Sequence, residues 1–520
     1  MRLNNRTRAD FQCPVCQMSA AIRQRLEPRC LEGGLLPDPG LGEAHWFRIL
    51  GQCWARYLSN GGAPGVVSTG FQSKPRLEQQ ADTLDRRGAR SPSRMGSRLA
   101  LLLEDGPNAK LWHPTNTSHE HEEKKRMSSR EIVLCQPVRT AIGAFNGALK
   151  SVAATDLGAT VVRETLKRNK LDDAHVGGVV MGNVIQAGNK MNPARQAAIG
   201  GGLPVTIPAL TINRVCGSGA QAIVTAAQQI ATGEIESAIA GGMENMDRAP
   251  YLMEGGRWGY RMGPAQIHDS MLRDGLDDAF SGKHSGWHTE DLVTQAQLTR
   301  DAQDRFAERS QQRFSRAQKA DKFVDEIVAV EVLGKKGVES FLTDEAPRPD
   351  TTLEGLAKLR PAFREGGTIT AGNAPGLNSG AAAMIVADRA FADTKSIAPM
   401  ARLVAYGIAA VEPGMFGLGP VPAIKIALAR AGWRLADVER FEINEAFAAV
   451  PLAIAKALGL PEDVINVEGG AIAHGHPIGA TGAVLTTRLL HAMQREGVRR
   501  GMVTLCIGGG QGIALALEAL

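Results

Sequence analysis

The 520-residue chain, with 43% hydrophobic and 22% charged residues, is long enough for two or three compact domains around a large core. Its apolar runs are interrupted well short of bilayer length, as Asn444, Glu445 and Lys456 interrupt Ile443 to Leu458, which excludes a transmembrane helix read from pattern. Lys and Arg number 59 against 54 Asp and Glu, but residues 1–126 hold 19 against 13, so the near-neutral remainder calls for neither nucleic acid nor an anionic membrane as partner.

Residues 1–126 mix Arg, Gly, Pro and Ser with Trp46, Trp54 and Trp112, show no sustained periodicity, and end in the charge run Glu122 to Arg126. They do not read as a packed domain, and Met127 reads as the natural start. The alternatives are a transit peptide, which acidic residues throughout argue against, and a zinc site on Cys13-Pro-Val-Cys16, which has no well-spaced second pair. A basic nucleic-acid module fits poorly, because its cations are dispersed without interleaved aromatics. The seven cysteines are too sparse for a disulfide scaffold and suit a reducing, cytoplasmic setting.

From Met127 the pattern predicts strands at Ile132–Leu134, Val176–Met181, Ala209–Asn213 and Ser237–Ala240, and helices at Asp156–Lys170 and Ala220–Thr232. Residues 247–365 are richer in charge, Met and Trp and carry a polar helix at Leu298–Lys319, as an inserted subdomain would; substrate contacts are expected there. The first rhythm then returns. Strands are predicted at Arg402–Tyr406, Arg440–Ile443, Val464–Val467 and Met502–Cys506, with helices at Val421–Ala431, Ala446–Leu458 and Ala480–Gln494. The fold class is α/β in two related halves, the first from 127–246 with 366–395 and the second from 396–520.

Cys216 follows a strand and precedes Gly217-Ser218-Gly219, which open an Ala-rich helix. A thiol at a helix N-terminus is favoured as thiolate, so Cys216 is a candidate nucleophile, with an inert buried cysteine as the alternative. In Gly475-His476-Pro-Ile-Gly-Ala-Thr-Gly482 a histidine between glycines can face a cleft as a base. Metal ligation by His474 and His476 competes, without a convincing third ligand. Cys506-Ile-Gly508-Gly-Gly-Gln-Gly adds a second thiol, catalytic or structural, followed by backbone N–H groups suited to an oxyanion. Asn444-Glu-Ala-Phe447 ends a strand with an asparagine that is a structural clasp or a water holder. No nucleotide-binding G-x-G-x-x-G follows the first strand, and no P-loop sequence occurs.

Asn213-Arg-Val-Cys216-Gly-Ser-Gly-Ala-Gln-Ala, Asn444-Glu-Ala-Phe-Ala, Gly-His476-Pro-Ile-Gly-Ala-Thr-Gly and Cys506-Ile-Gly-Gly-Gly-Gln-Gly together resemble the signature set of the thiolase family over Met127 to Leu520. Thr370-Ala-Gly-Asn-Ala, Lys358-Leu-Arg-Pro-Ala-Phe363 and Gly419-Pro-Val-Pro422 add to the resemblance. It implies two pseudo-symmetric halves in a five-layered α/β/α/β/α fold with an inserted loop domain, usually a homotetramer. It also implies reversible condensation of two acetyl-CoA to acetoacetyl-CoA, and thiolysis of 3-ketoacyl-CoA, through an acyl-cysteine.

By that resemblance Cys216 accepts the acyl group, His476 activates it, and Cys506 moves the α-proton. Asn444 holds a water beside the enolate, and the N–H groups of Cys216 and Gly508 serve the tetrahedral intermediate. CoA contacts carried over by motif are Leu276, His284, Arg348, Leu359, Phe363, Ala371 and Phe447; CoA thioesters are substrates, and no cofactor or metal is implied. Two departures bear on substrate choice: Pro375 stands where the family has serine, and Ser285 where it has methionine, widening the acyl end. A ketosynthase would need a second histidine in place of Cys506, and a non-catalytic lipid carrier would not need the reactive groups present here.

Overall fold

The computed structural model describes residues 130–520, except 335 and 336; the expectations for residues 1–126 and for a zinc site at Cys13 and Cys16 lie outside the described residues. Nine strands of the main sheet set the frame: β1 (Ile132–Thr140), β2 (Gly178–Gly182), β3 (Ala209–Ile212), β4 (Ser237–Asn245), β5 (Asn378–Asp388), β6 (Pro399–Ala410), β7 (Arg440–Ile443), β8 (Arg500–Ile507) and β9 (Gln511–Ala519). They run in the order β7-β8-β9-β6-β1-β5-β4-β2-β3.

The order is a repeat read outward from the β1–β6 pair, where Val133 faces Arg402 and Leu134 faces Ala401. In the first half β1–β5 and β5–β4 are antiparallel while β4–β2 and β2–β3 are parallel. In the second half β6–β9 and β9–β8 are antiparallel and β8–β7 is parallel. The place of β3 is taken by a single parallel bridge, Phe441 to Ile465. The strand expected over Val464–Val467 is thus reduced to one bridge. Asn466 there has φ +44°, and its side chain takes the Ile443 N–H and donates to the Ile443 carbonyl, both at 2.8 Å, using groups that a ladder would pair.

The helices follow the same repeat: α1 (Ala154–Asn169), α2 (Pro193–Gly200) and α3 (Ser218–Ala231) in the first half, then, after α4 (Ser285–Ala296) and α5 (Arg300–Lys319), α6 (Pro420–Ala431), α7 (Ala449–Leu458) and α8 (Thr481–Glu496) in the second. Helices α3 and α8 share one core with one face of both sheet halves, including Val180, Met384, Val503 and Leu515. The opposite face of the first half packs on α1 and α2 through Val161, Ala197 and Ile239, and that of the second on α6 and α7 through Ile424, Ile454 and Met502. This is a five-layered α/β/α/β/α arrangement, and it buries strands such as β5 on both faces. The central helices touch backbone to backbone: a Cβ on Gly219 would lie 2.6 Å from the Ala483 nitrogen, so only glycine fits that crossing.

Between Asn245 and Asn378 the chain runs off the main frame, carrying α4 and α5 and touching the sheet again only where Ile327–Val328 pairs with Arg139 and Thr140 of β1. It is fastened to β1 by fully buried Arg139, which meets both Asp344 carboxylate oxygens at 2.8 and 3.0 Å and Glu326 at 2.7 Å. Removing one partner of such a network would leave an uncompensated buried charge, typically costing about 3–5 kcal/mol.

Candidate active site

Cys216 stands between the end of β3 and the start of α3 on a strained elbow. Val215 has φ +44°, a conformation that a β-branched residue adopts only at a cost of about 1–3 kcal/mol. Local bonds hold it there: Val215 N–H donates to Asn213 Oδ1 at 2.9 Å, and the Ser218 hydroxyl donates to the Val215 carbonyl at 2.7 Å while accepting from Arg214 N–H at 2.8 Å. The elbow turns the half-buried Cys216 sulfur into a cavity of about 190 Å³ shared with His476 and Gly508.

Burial works against the thiolate expected from the helix N-terminus. Burial pushes the Cys216 thiol up to about 11, Glu244 adds to the rise, and the N–H groups of Gly508 and Cys216 itself, donating to the sulfur, only partly offset it.

His476 comes from the second half on the loop before α8. Its Nδ1 is 2.6 Å from the Thr481 hydroxyl oxygen, and that hydroxyl donates its only hydrogen to the Pro477 carbonyl at 2.8 Å. The oxygen can therefore only accept from Nδ1–H, which leaves the lone pair on Nε2. Asn444 Nδ2 approaches Nε2 at 3.4 Å, consistent with that tautomer, and the buried Asn444 Oδ1 has no partner among the described residues. Burial lowers the ring to about 4, so it rests neutral. Burial therefore works against charge on both the sulfur and the ring and favours a neutral thiol beside a neutral imidazole.

Cys506, fully buried near the end of β8, does not line the cavity, and burial with the neighbouring Cys216 charge holds its thiol well above the ordinary range. His474, the second histidine of the motif, points elsewhere: it is buried against Phe314 at 5.8 Å, and neither ring nitrogen has a partner among the described residues. Among those residues no cluster of His, Cys, Asp and Glu could hold a metal ion, so pairing of His474 with His476 as ligands finds no support.

The residues expected to meet CoA divide between two adjoining cavities. Leu276, His284, Phe363 and Phe447 line the reactive one, while Arg348, Leu359 and Ala371 line a neighbour of about 340 Å³ that shares Ala374, Gly376 and Leu377 with it. His284 stacks on Phe363 at 4.5 Å, and Phe363 meets Phe447 edge-on at 5.8 Å, forming an aromatic wall. His284 Nδ1 accepts the Gly286 N–H at 3.0 Å, so its Nε2 carries the hydrogen. The Ser285 hydroxyl lines the same cavity and donates to the Leu276 carbonyl at 2.6 Å.

Sequence reasoning did not single out Thr481, Asn378 or Glu244. Thr481 lay inside the quoted glycine-rich motif, and only its place at the start of α8 hinted at a role. Asn378 fixes the base by accepting the His476 N–H at 2.8 Å, yet it opens an Ala-rich strand that the pattern did not reveal.

Family models described as "Thiolase, N-terminal domain" and "Thiolase, C-terminal domain" match residues 132–390 and 397–519. The chain is 48% identical over 392 residues to the acetyl-CoA acetyltransferase of Escherichia coli (strain K12), covering 75% of this chain and 100% of that protein. It is 47% identical over 392 residues to the cytosolic acetyl-CoA acetyltransferase of Mus musculus, covering 75% and 98%. The crystal structure of human mitochondrial 3-ketoacyl-CoA thiolase superposes with a TM-score of 0.73 at 40% identity, covering 75% of this chain and 99% of that one.

Proposed function

The chain belongs to the thiolase family, and from that premise we propose how its residues divide the work of joining two acetyl-CoA, or splitting a 3-ketoacyl-CoA, through an acyl-cysteine. The observation that carries the reading is the convergence of Cys216, neutral His476 and the Gly508 N–H on one cavity, with Cys216 near enough to buried Cys506 to oppose its ionisation.

His476 Nε2 takes the Cys216 proton as sulfur attacks the thioester carbonyl; the resting thiol means that the two events go together. The oxyanion is met by the N–H groups of Cys216 and Gly508, the two backbone groups that favour charge on the sulfur. The carbon–sulfur bond to CoA breaks, and Cys506, held as a neutral thiol, gives its proton to the leaving CoA thiolate. That transfer leaves Cys506 as the base that removes the α-proton of a second acetyl-CoA. The enolate oxygen is stabilised by the His476 imidazolium and a water on Asn444 Oδ1, and its carbon attacks the acyl group. The Cys216 thiolate leaves and recovers its proton from His476, so every group returns to its starting state.

CoA lies across the two adjoining cavities, its pantetheine arm along the His284–Phe363–Phe447 wall and its nucleotide toward Arg348, Leu359 and Ala371. The scheme draws on no metal or redox cofactor, because thiols, imidazole and backbone N–H groups account for each proton and charge. Steady-state kinetics with acetyl-CoA, acetoacetyl-CoA and longer 3-ketoacyl-CoAs test it. Turnover on the first two supports the reading, and none on any overturns it.

The assembly is a homotetramer in this reading. Support comes from the edge strand β3, with exposed Leu210 beside exposed Val205 and Met191, and from the segment around Tyr251–Leu252 and His268–Asp269, which exposes Trp258 and Met262. Light scattering should give four times the 55.3 kDa chain mass. A cytoplasmic location follows the mouse relative's name, and cell fractionation checks it.

A further inference from the structure

Glu244, at the end of β4, is a fully buried carboxylate that the mechanism above does not use. It accepts four N–H groups: Val184 N–H and Gly479 N–H at 3.0 Å on Oε2, Asn183 Nδ2 at 2.8 Å and Ile185 N–H at 3.3 Å on Oε1. Two donors on each oxygen occupy its lone-pair positions. Among the described residues no Lys, Arg or His forms an ion pair with it, and the groups that offset its burial are N–H donors.

The donors come from both halves of the molecule. Asn183, Val184 and Ile185 form the turn after β2, whereas Gly479 lies three residues beyond His476. That loop is wedged into the first half: a Cβ on Gly479 would lie 2.8 Å from Glu244 Oε2 and 2.9 Å from the Asn183 Cα, and Gly182 and Gly242 have no room for a side chain against the Gly479 carbonyl. The base thus belongs to one half and is seated by the other.

We propose that Glu244 is a positioning residue for His476, an ionised buried carboxylate that clamps the Pro477–Gly479 turn to the Asn183–Ile185 turn and so aims Nε2 at Cys216. Its negative charge also opposes ionisation of the Cys216 sulfur, adding to the larger effect of burial. Burial pushes Glu244 up to about 7 even with its four donors lowering it, and the geometry favours the ionised form because N–H donors occupy both oxygens and leave no place for a carboxyl hydrogen. The inference rests on His476 being the base.

Glu244→Gln keeps the shape but removes the charge and turns an NH2 group toward two donors. Acyl transfer to Cys216 and condensation should each fall about tenfold or more in kcat, as for losing two charge-assisted bonds at a positioning site, with KM for acetyl-CoA within about threefold. The pH midpoint of Cys216 alkylation by iodoacetamide should move to lower pH, which simple loosening of the fold would not produce. Asn183→Ala, which leaves the carboxylate and three donors, should lose less in kcat, about threefold. It carries the test if Glu244→Gln does not fold, and a kcat unchanged there would then overturn the proposal. His476→Ala separates this inference from the one beneath it. If His476→Ala retains acyl transfer, the assignment of the base fails; if it is inactive while folded Glu244→Gln keeps kcat within about twofold or leaves the alkylation midpoint in place, the role of Glu244 is overturned.

Discussion

The Thr481 hydroxyl oxygen sits 2.6 Å from His476 Nδ1 and spends its hydrogen on the Pro477 carbonyl, so a residue that touches no substrate decides which ring nitrogen is the base. Thr481→Val is nearly isosteric and removes the acceptor. It should lower kcat for condensation by about 10²-fold, whereas Thr481→Ser should retain most of the activity. Equal activity of the two variants would mean that the tautomer is fixed elsewhere.

Cys216 should behave as an ordinary protonated thiol in the substrate-free enzyme. With its ionisation pushed up to about 11, the thiolate fraction is small at neutral pH and grows tenfold per pH step, so alkylation by iodoacetamide should be slow at pH 7 and still rising at about pH 9.5. A rate that levels off near neutrality would show a preformed ion pair with His476.

Ser285 sets the size of the acyl end in this account. Its hydroxyl is tied to the Leu276 carbonyl at 2.6 Å, leaving space toward Met246 and Ile478 in the same cavity. Ser285→Met should cut kcat/KM for six-carbon and longer 3-ketoacyl-CoAs by about tenfold while sparing acetoacetyl-CoA. An unchanged chain-length profile would remove Ser285 from consideration.

A protein beginning at Met127 should fold and retain activity, since β1 starts at Ile132 and all reactive residues follow it. Loss of most activity or of assembly on removing residues 1–126 would assign that segment a structural role.

The reactive groups were legible because each is flanked by glycines in a short motif, and the two halves because their strand–helix rhythm repeats. Strands β5 and β9 were not. Both are buried on two faces, so Asn378–Asp388, rich in Ala and Gly, shows no alternation to read. The helix expected from Ala446 begins at Ala449, because Ala446 and Phe447 are occupied in the turn that lines the cavity. Glu244 stayed hidden because its meaning lies in four donors from two distant segments, a convergence no local pattern displays. The Cys216 thiolate was inferred from a helix terminus alone, and the burial that opposes it is a property of the assembled halves.

The central claim is that the two thiols serve different half-reactions, and intact-protein mass spectrometry after incubation with acetyl-CoA, paired with an assay for acetoacetyl-CoA, tests it most directly. Cys216→Ser should neither gain an acetyl group nor condense, because a buried hydroxyl is far harder to ionise than the thiol. Cys506→Ser keeps Cys216 and His476, so it should still become acetylated while condensation falls at least about 10²-fold. Near-normal condensation by Cys506→Ser, or an acetyl group mapped to Cys506 and absent from Cys216, would contradict the account.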